Sequence, residues 1–353
     1  MIRKNTDPMN LGDLIEFFQG HVPVWIKKRP DYLKAVNFYK DMPYFDFQKK
    51  SNSGYVGLEV HMSSDQIDSG VPCFTQEKEN LLFSAKKTYQ KALKGNKYSW
   101  ENAVRFSEDW VRLPNLNFVN IVWLCFDADS MDKRLGPLVF YMDFPNIPVK
   151  QVHKLVFGKG LNSACKLLLG KFYSKKNVEI LNVLKQKMSH NQILRNVGVN
   201  WQNDQPRLKI FLSGTIDDNI SLCKQFKQNA YQKEFLKSVS GLKSVYGQNN
   251  VGMEIDIHQG VLLKSSFEFF FDREDIRTKK FVGSFAEKPF FSNFVTKQQK
   301  RSFKKLFSEG AVVYQTHKGT ILHMKPMHMK VIHDGKGKPK WKMYLNFVKH
   351  PNQ

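Results

Sequence analysis

Ionisable side chains recur at every second position of runs that are otherwise apolar. Val56–Met62 sets Glu59 and His61 against Val56, Leu58, Val60 and Met62. Arg207, Lys209, Phe211 and Ser213 oppose Leu208, Ile210 and Leu212. Glu254, Asp256 and His258 alternate with Val251, Met253, Ile255 and Ile257. His328 and Lys330 share a face opposite Met329 and Val331, and Lys340, Lys342, Tyr344 and Asn346 oppose Trp341, Met343, Leu345 and Phe347. Successive strand side chains face opposite sides, so each run reads as a strand with one apolar and one reactive face. Lysine, arginine and tyrosine heads in such rows can hold an anion by charge-assisted hydrogen bonds. A carboxylate such as Glu59 can orient a ligand or take its proton.

The elements that must carry these rows follow from the rest of the pattern. Strand runs come in five pairs: Val56–Met62 with Val71–Thr75, Phe118–Asp127 with Leu138–Phe144, Asn196–Trp201 with Arg207–Ser213, Val251–Ile257 with Leu263–Asp272, and His328–His333 with Lys340–Val348. Asp334-Gly335 and Gln259-Gly260 sit between alternating runs, where turn geometry favours a hairpin. Helical periodicity fills the intervals over Gln76–Leu93, Trp100–Val111, Val149–Leu169, Asn177–Met188, Ile216–Val239 and Phe290–Phe307, with Asp217-Asp218 as caps of the fifth. Leu11–Phe18 and Asp31–Tyr39 form an N-terminal helical region, residues 1–50, before a hairpin-and-helix region, residues 51–350, in a single domain. Val56-Gly57-Leu58-Glu59-Val60 is echoed by Val251-Gly252-Met253-Glu254-Ile255, as a repeated architecture would give.

The fold class is α/β (α+β). The polar strand faces belong either to an open antiparallel sheet wetted on one side or to a closed barrel, where they line a lumen. Ten strands would enclose more space than side chains alone fill.

Composition narrows the function classes. The chain has 353 residues, a formal charge of +23, 41% apolar residues, 29 Phe and 12 Tyr. That is ample for a packed core and excludes global disorder. Residues 1–150 are nearly balanced, with 20 basic and 18 acidic side chains, whereas residues 151–353 carry 35 and 14. The asymmetry favours an anionic partner: nucleic acid, a membrane surface, an acidic peptide or a phosphorylated small molecule. No run is long and apolar enough for a transmembrane helix, and Met1–Asp7 lacks a signal-peptide core, so a soluble cytoplasmic protein is expected. Cys73, Cys125, Cys165 and Cys223 lie far apart and read as small buried hydrophobes. No GxSxG, HExxH, GxGxxG or P-loop occurs. Asp127 and Asp129 form a DxD at a strand end, which could bind Mg2+ with a diphosphate, though more often such a pair caps a turn. The His/Met-rich run His317–Met329 is irregularly spaced, and alternation would split its ligands between faces.

Five helix–hairpin–helix units, polar strand faces and no DDxxD motif resemble the soluble aromatic prenyltransferases with the ABBA barrel. Lys342-Met343-Tyr344 is similar to the K-x-Y strand motifs that hold the isoprenoid diphosphate in fungal indole prenyltransferases, and Glu59 lies where that family places its acceptor-binding base. The second hairpin carries no K-x-Y, and Val71–Thr75 carries no arginine. The resemblance implies an antiparallel ten-stranded barrel of repeated αββα units. It also implies transfer of an isoprenoid group from an allylic diphosphate to an aromatic or peptide acceptor, in natural-product biosynthesis.

Arg207, Lys209, Lys330, Lys342 and the Tyr344 hydroxyl would then hold the departing diphosphate. Phe211, Tyr141 or Phe270 would face the allylic cation, Glu254 would line the substrate site, and Glu59 would orient the acceptor or take its proton. The competing reading is a basic, non-enzymatic nucleic-acid-binding protein, with aromatics stacking on bases and lysines tracking phosphates. The basic helix with Lys297, Lys300, Arg301, Lys304 and Lys305 reads as a solvated outer face, or as a recruiter of an acidic peptide.

Overall fold

The alternating runs form strands, and the strands join into one antiparallel sheet that closes on itself. The structure is a computed structural model that describes residues 10–41, 54–74, 97–112, 121–128, 139–144, 159–201, 206–243, 250–259, 261–270, 276–316 and 320–350, with isolated residues between them. Its strands are β1 (Gly54–His61), β2 (Ile67–Phe74), β3 (Ile121–Phe126), β4 (Val139–Asp143), β5 (Ile193–Asn200), β6 (Arg207–Gly214), β7 (Val251–His258), β8 (Val261–Phe270), β9 (Val312–Gln315), β10 (Ile321–His333) and β11 (Lys340–His350). Strands β1 to β8 pair in chain order; β8 pairs with β10, β10 with β11 and β11 with β1, closing a ring of ten strands. Strand β9 is an eleventh, attached to the first part of β10.

Helices cover the outside. They are α1 (Leu11–Phe17), α2 (Val24–Lys27), α3 (Pro30–Asp41), α4 (Lys97–Arg112), α5 (Lys159–Leu169), α6 (Lys175–Lys187), α7 (Ile216–Cys223), α8 (Ala230–Ser240), α9 (Ile276–Glu287), α10 (Pro289–Ser292) and α11 (Lys297–Glu309). The apolar strand faces meet them through aromatic contacts around the ring. Phe38 of α3 lies 4.9 Å from Phe126 of β3, and Phe106 of α4 lies 5.0 Å from Phe140 of β4. Phe235 of α8 is 6.1 Å from Phe267 of β8, and Phe285 of α9 is 5.4 Å from Trp341 of β11. Val56, Leu58, Val60, Trp341, Met343, Leu345 and Phe347 are fully buried on this outer side. The hydrophobic core is therefore a shell between barrel and helices. Among the described residues no helix is long and apolar enough to cross a membrane.

Several expected boundaries shift, each for a local reason. The single helix expected over Ile216–Val239 is two, α7 and α8. Asn229 and Gln232 form a reciprocal capping box that starts α8 afresh, and Thr215, not Asp217-Asp218, caps α7. The helix expected over Phe290–Phe307 is likewise interrupted. Pro289 opens the short α10, and a Thr296–Gln299 capping box opens α11. Strand β10 starts at Ile321, seven residues before the expected His328, and absorbs Pro326 at a register shift between Pro326 and Met329. Strand β9 was not expected at all. The first hairpin's second strand is longer than expected, Ile67–Phe74 rather than Val71–Thr75. Of the helix expected over Gln76–Leu93 only Lys86 and Gln90 are described, both helical, and the first half of Val149–Leu169 lies outside the described residues.

One glycine shows how tightly the wall is drawn. A Cβ on Gly198 of β5 would stand 2.1 Å from the Phe140 carbonyl oxygen and 2.9 Å from Tyr141 Cα on β4. Backbone has to move to admit it. Gly198→Ala is expected to cost about 1–3 kcal/mol through forced strand separation, read as a lowered midpoint in urea unfolding. An unchanged midpoint would mean that β4 and β5 slide apart freely.

Candidate active site

Directly paired residues share a face, so the ladder registers assign the lumen. Glu59 lies opposite Tyr344 of β11 and Asp68 of β2, and His61 lies opposite Lys342. Lys342 is opposite Lys330, and Lys330 is opposite Glu268. Lys209 faces Asp256, Phe211 faces Glu254, and Asp256 faces Lys264. Tyr141 lies opposite Trp123 and Gly198. The polar faces of ten strands thus converge inside the ring, while their apolar neighbours face the helices.

The ions inside form two connected networks. In the first, Lys342 Nζ lies 2.8 Å from Glu59 Oε1 and 2.9 Å from Asp68 Oδ2, and Asp68 Oδ2 is 2.8 Å from His61 Nε2. In the second, Glu254 Oε1 accepts from both Lys209 and Lys330, the latter at 3.0 Å, and its Oε2 accepts from the Tyr141 hydroxyl reaching in from β4. Lys209 also donates to Asp256 at 3.0 Å, which takes a further bond from Asn200 at 3.2 Å. Lys330 is 3.3 Å from Glu268 Oε1. Tyr344 joins the networks, accepting from Lys330 at 3.3 Å and hydrogen-bonding Glu59.

Burial and pairing set the protonation of these groups. Burial pushes the Glu59 carboxyl up, but Lys342 and Lys330 together outweigh it and hold it at about 2. Glu254 resists the same burial penalty through Lys209 and Lys330 and stays far below the usual carboxylate range. Burial lowers Lys209, Lys330 and Lys342, yet their flanking carboxylates raise all three overall. Glu268 differs. Burial raises it to about 7, with Glu254 adding to the rise and Lys330 only partly opposing it. His328 is pushed down to about 3 by burial and by Lys330. Lys264 is lowered to about 8, by burial and then by Lys209. It has no ion pair among the described residues.

The residues expected from sequence are thereby placed. Glu59, Lys209, Glu254, Lys330, Lys342 and Tyr344 meet within the two networks. Phe211 lies in the lumen against Gly252, where an added Cβ would come within 2.8 Å of its ring. Arg207 lies at one end of the lumen, on the side of the hairpin turns, and its buried Nε has no partner among the described residues. Tyr141 and Phe270 also face inward. Asp127 follows β3 and its carbonyl accepts from the Met131 amide at 3.0 Å; Asp129 lies outside the described residues. Among the described residues no group of three or more His, Cys, Asp or Glu is placed to hold a metal.

Sequence reasoning missed Asp68, Lys264 and Glu268 and assigned no part to His328. Lys264, Ser266 and Glu268 do alternate along β8, so that signal was present. Asp68 sits in a run broken by Gly70 and Pro72, where alternation is weak. The lumen also carries more acid than expected: every lysine set out for a phosphate, Lys209, Lys330 and Lys342, has two carboxylate partners. Of the cysteines, Cys165 and Cys223 are buried as expected, while Cys125 lies on the lumen side opposite Gly70 and Val139 and is only partly buried. The Cys73 side chain lies outside the described residues. The nucleic-acid reading finds no support: the strand cations set out for phosphate, Arg207, Lys209, Lys330 and Lys342, face the lumen, and the three lysines are ion-paired.

No family model matches the sequence, and no curated protein matches it. Solved structures do. The chain superimposes on the prenyltransferase PriB in its apo form with a TM-score of 0.60 at 11% identity, covering 95% of this chain and 96% of that one. PriB has also been solved with L-tryptophan and dimethylallyl thiolodiphosphate, a match with a TM-score of 0.55 at 10% identity over 95% and 94% of the two chains. AnaPT from Neosartorya fischeri matches with a TM-score of 0.55 at 11% identity over 98% and 93% of the two chains. The 5-dimethylallyltryptophan synthase from Streptomyces coelicolor matches with a TM-score of 0.52 at 10% identity over 96% and 98%. Ten closed strands, the surrounding helices and near-complete coverage on both sides agree: the chain has the barrel fold of the ABBA aromatic prenyltransferases.

Proposed function

We propose that this barrel transfers a prenyl group from an allylic diphosphate to an aromatic acceptor, a small molecule or an aromatic side chain of a peptide. One observation carries the reading: cations and a tyrosine hydroxyl line the inside of a closed barrel, and two of those cations, Lys264 and Arg207, have no carboxylate ion pair among the described residues. In the reaction the donor C–O bond breaks and the diphosphate leaves with its electron pair. An acceptor ring carbon supplies the pair for the new C–C bond, and the ring then loses a proton. Lys264 and Arg207 are the ready partners for the diphosphate. Lys209, Lys330 and Lys342 join by exchanging a carboxylate for a phosphate oxygen, and the Tyr344 hydroxyl turns its proton from Glu59 to the leaving oxygen. Tyr344, Phe211 and Tyr141 present ring faces to the allylic cation. The barrel wall keeps water from it. The known ligands of PriB support this choice of donor and acceptor. Synthesis of a prenylated natural product in the cytoplasm is the setting this chemistry suits.

Binding of dimethylallyl thiolodiphosphate, followed by calorimetry, tests the site, with dimethylallyl diphosphate and L-tryptophan or another indole assayed for product. Lys264→Ala and Arg207→Ala should each weaken donor binding at least about tenfold, equivalent to about 1.4 kcal/mol. Both should leave the circular dichroism spectrum intact, because neither leaves a buried carboxylate without its ion pair. Unchanged affinity in both variants would remove the diphosphate site. Affinity should also change little between 50 and 200 mM salt, whereas a nucleic-acid groove of several phosphate contacts would lose about 10³-fold or more.

A further inference from the structure

The two lumen carboxylates nearest Tyr344 differ in what they can do with a proton. Glu59 is committed: it is ion-paired to Lys342 and hydrogen-bonded to Tyr344. Glu268 is loosely held. Its Oε1 shares Lys330 with the closer Glu254, and its Oε2 lies 3.4 Å from His328 Nε2 without making a hydrogen bond. The His328 ring stacks on Tyr344 at 3.9 Å and packs against Phe270 at 4.9 Å, and neither ring nitrogen has a hydrogen-bond partner among the described residues. Unsatisfied buried nitrogens are costly, and a ligand N–H or O–H in this corner would satisfy the ring nitrogen that accepts. An aromatic wall, an unpartnered imidazole and a weakly held carboxylate thus meet at one place. An acceptor ring placed in this corner would have all three beside it.

We propose that Glu268, not Glu59, is the proton acceptor of the transfer, taking the hydrogen that the acceptor ring loses after the new C–C bond has formed. The inference rests on the prenyl-transfer reading above. In the step, the C–H pair returns to the ring and the proton moves to Glu268 Oε2. Water takes it once product leaves, restoring the carboxylate. The groups facing Glu268 are Lys330 and His328 on β10, Glu254 on β7, Glu59 on β1 and Tyr344 on β11, with Ser266 and Lys264 on its own strand. Burial comes first among the causes that put Glu268 at about 7, and there it is part-ionised at neutral pH. Glu59, held at about 2, binds a proton poorly at that pH.

The experiment measures kcat and KM against pH for the wild-type chain, Glu268→Gln and Glu268→Asp. Wild-type activity should rise along a limb near pH 7 as the carboxylate ionises. Glu268→Gln should lose about 10²-fold or more in kcat and lose that limb, while donor affinity changes less than about threefold; Glu268→Asp should restore part of the rate and the limb. If Glu268→Gln keeps its rate and the limb, the proton acceptor lies elsewhere and this inference fails alone. A wild-type chain that binds no thiolodiphosphate and forms no product overturns the prenyl-transfer reading, and this inference with it.

Discussion

Lys342→Ala is expected to destabilise the chain by about 3–5 kcal/mol at pH 7, because it leaves Glu59 and Asp68 charged and largely buried without their shared cation. The effect has a pH signature. In the wild-type chain Glu59 sits at about 2, below its ordinary 4.5. Its contribution to stability is therefore complete above about pH 4.5 and is lost as pH falls towards 2. Asp68 shifts in the same direction, held down by Lys342 and His61 against the rise from burial. In the variant both carboxyls lose the lysine that holds them down, so burial pushes them up and they take protons at higher pH. The stability gap between the two proteins should narrow as the pH is lowered from 7 to 4. Urea unfolding at both pH values measures it. A loss under about 1 kcal/mol at pH 7 would mean that lumen water solvates both carboxylates well enough to replace the lysine.

Trp341→Ala, one residue away, is expected to cost a similar amount for an unrelated reason and with no such dependence on pH. Trp341 points out of the barrel, fully buried among Phe269, Phe285, Phe290 and Phe291, with ring separations from 5.1 to 6.2 Å. Its indole N–H donates to the Phe290 carbonyl at 3.0 Å. Truncation removes the largest side chain of this cluster and opens a cavity between β11, α9 and α10, for about 3–5 kcal/mol. Thermal unfolding should show the same large drop at pH 7 and pH 5. A small drop would mean that the four phenylalanines collapse into the space.

Period-2 alternation made this contrast readable in the sequence. It assigned Trp341 and Lys342 to opposite faces, and it correctly gathered Glu59, Lys209, Glu254, Lys330, Lys342 and Tyr344 on the polar side of their strands. Whether those faces met inside a ring was a matter of long-range pairing. Alternation is silent on it, and there the resemblance in element order supplied the expectation. Boundaries shifted where strand pairing or local capping overrode periodicity. The expected strand began only at His328, yet β10 starts at Ile321 and carries Pro326 through a register shift. Asn229 and Thr296 looked like helix interior until their side chains turned back to cap new helices. The acids that neutralise the lumen were hardest to see, because Asp68 and Glu268 gain their importance only from lysines on other strands, 274 residues away in the case of Asp68 and Lys342.

The seam between β1 and β11 has a consequence for how the molecule is made. Gly54 pairs with Lys349 and His61 with Lys342, so the ring cannot shut until the ribosome has moved some 280 residues beyond the first strand. At about 5–20 residues per second that is roughly 15–60 s, during which β1 has an unpaired edge and the buried ions lie open. Closure is a late, non-local step, the kind that folds slowly and exposes strand edges to aggregation. The nascent chain carries that unpaired edge until its last described strand arrives.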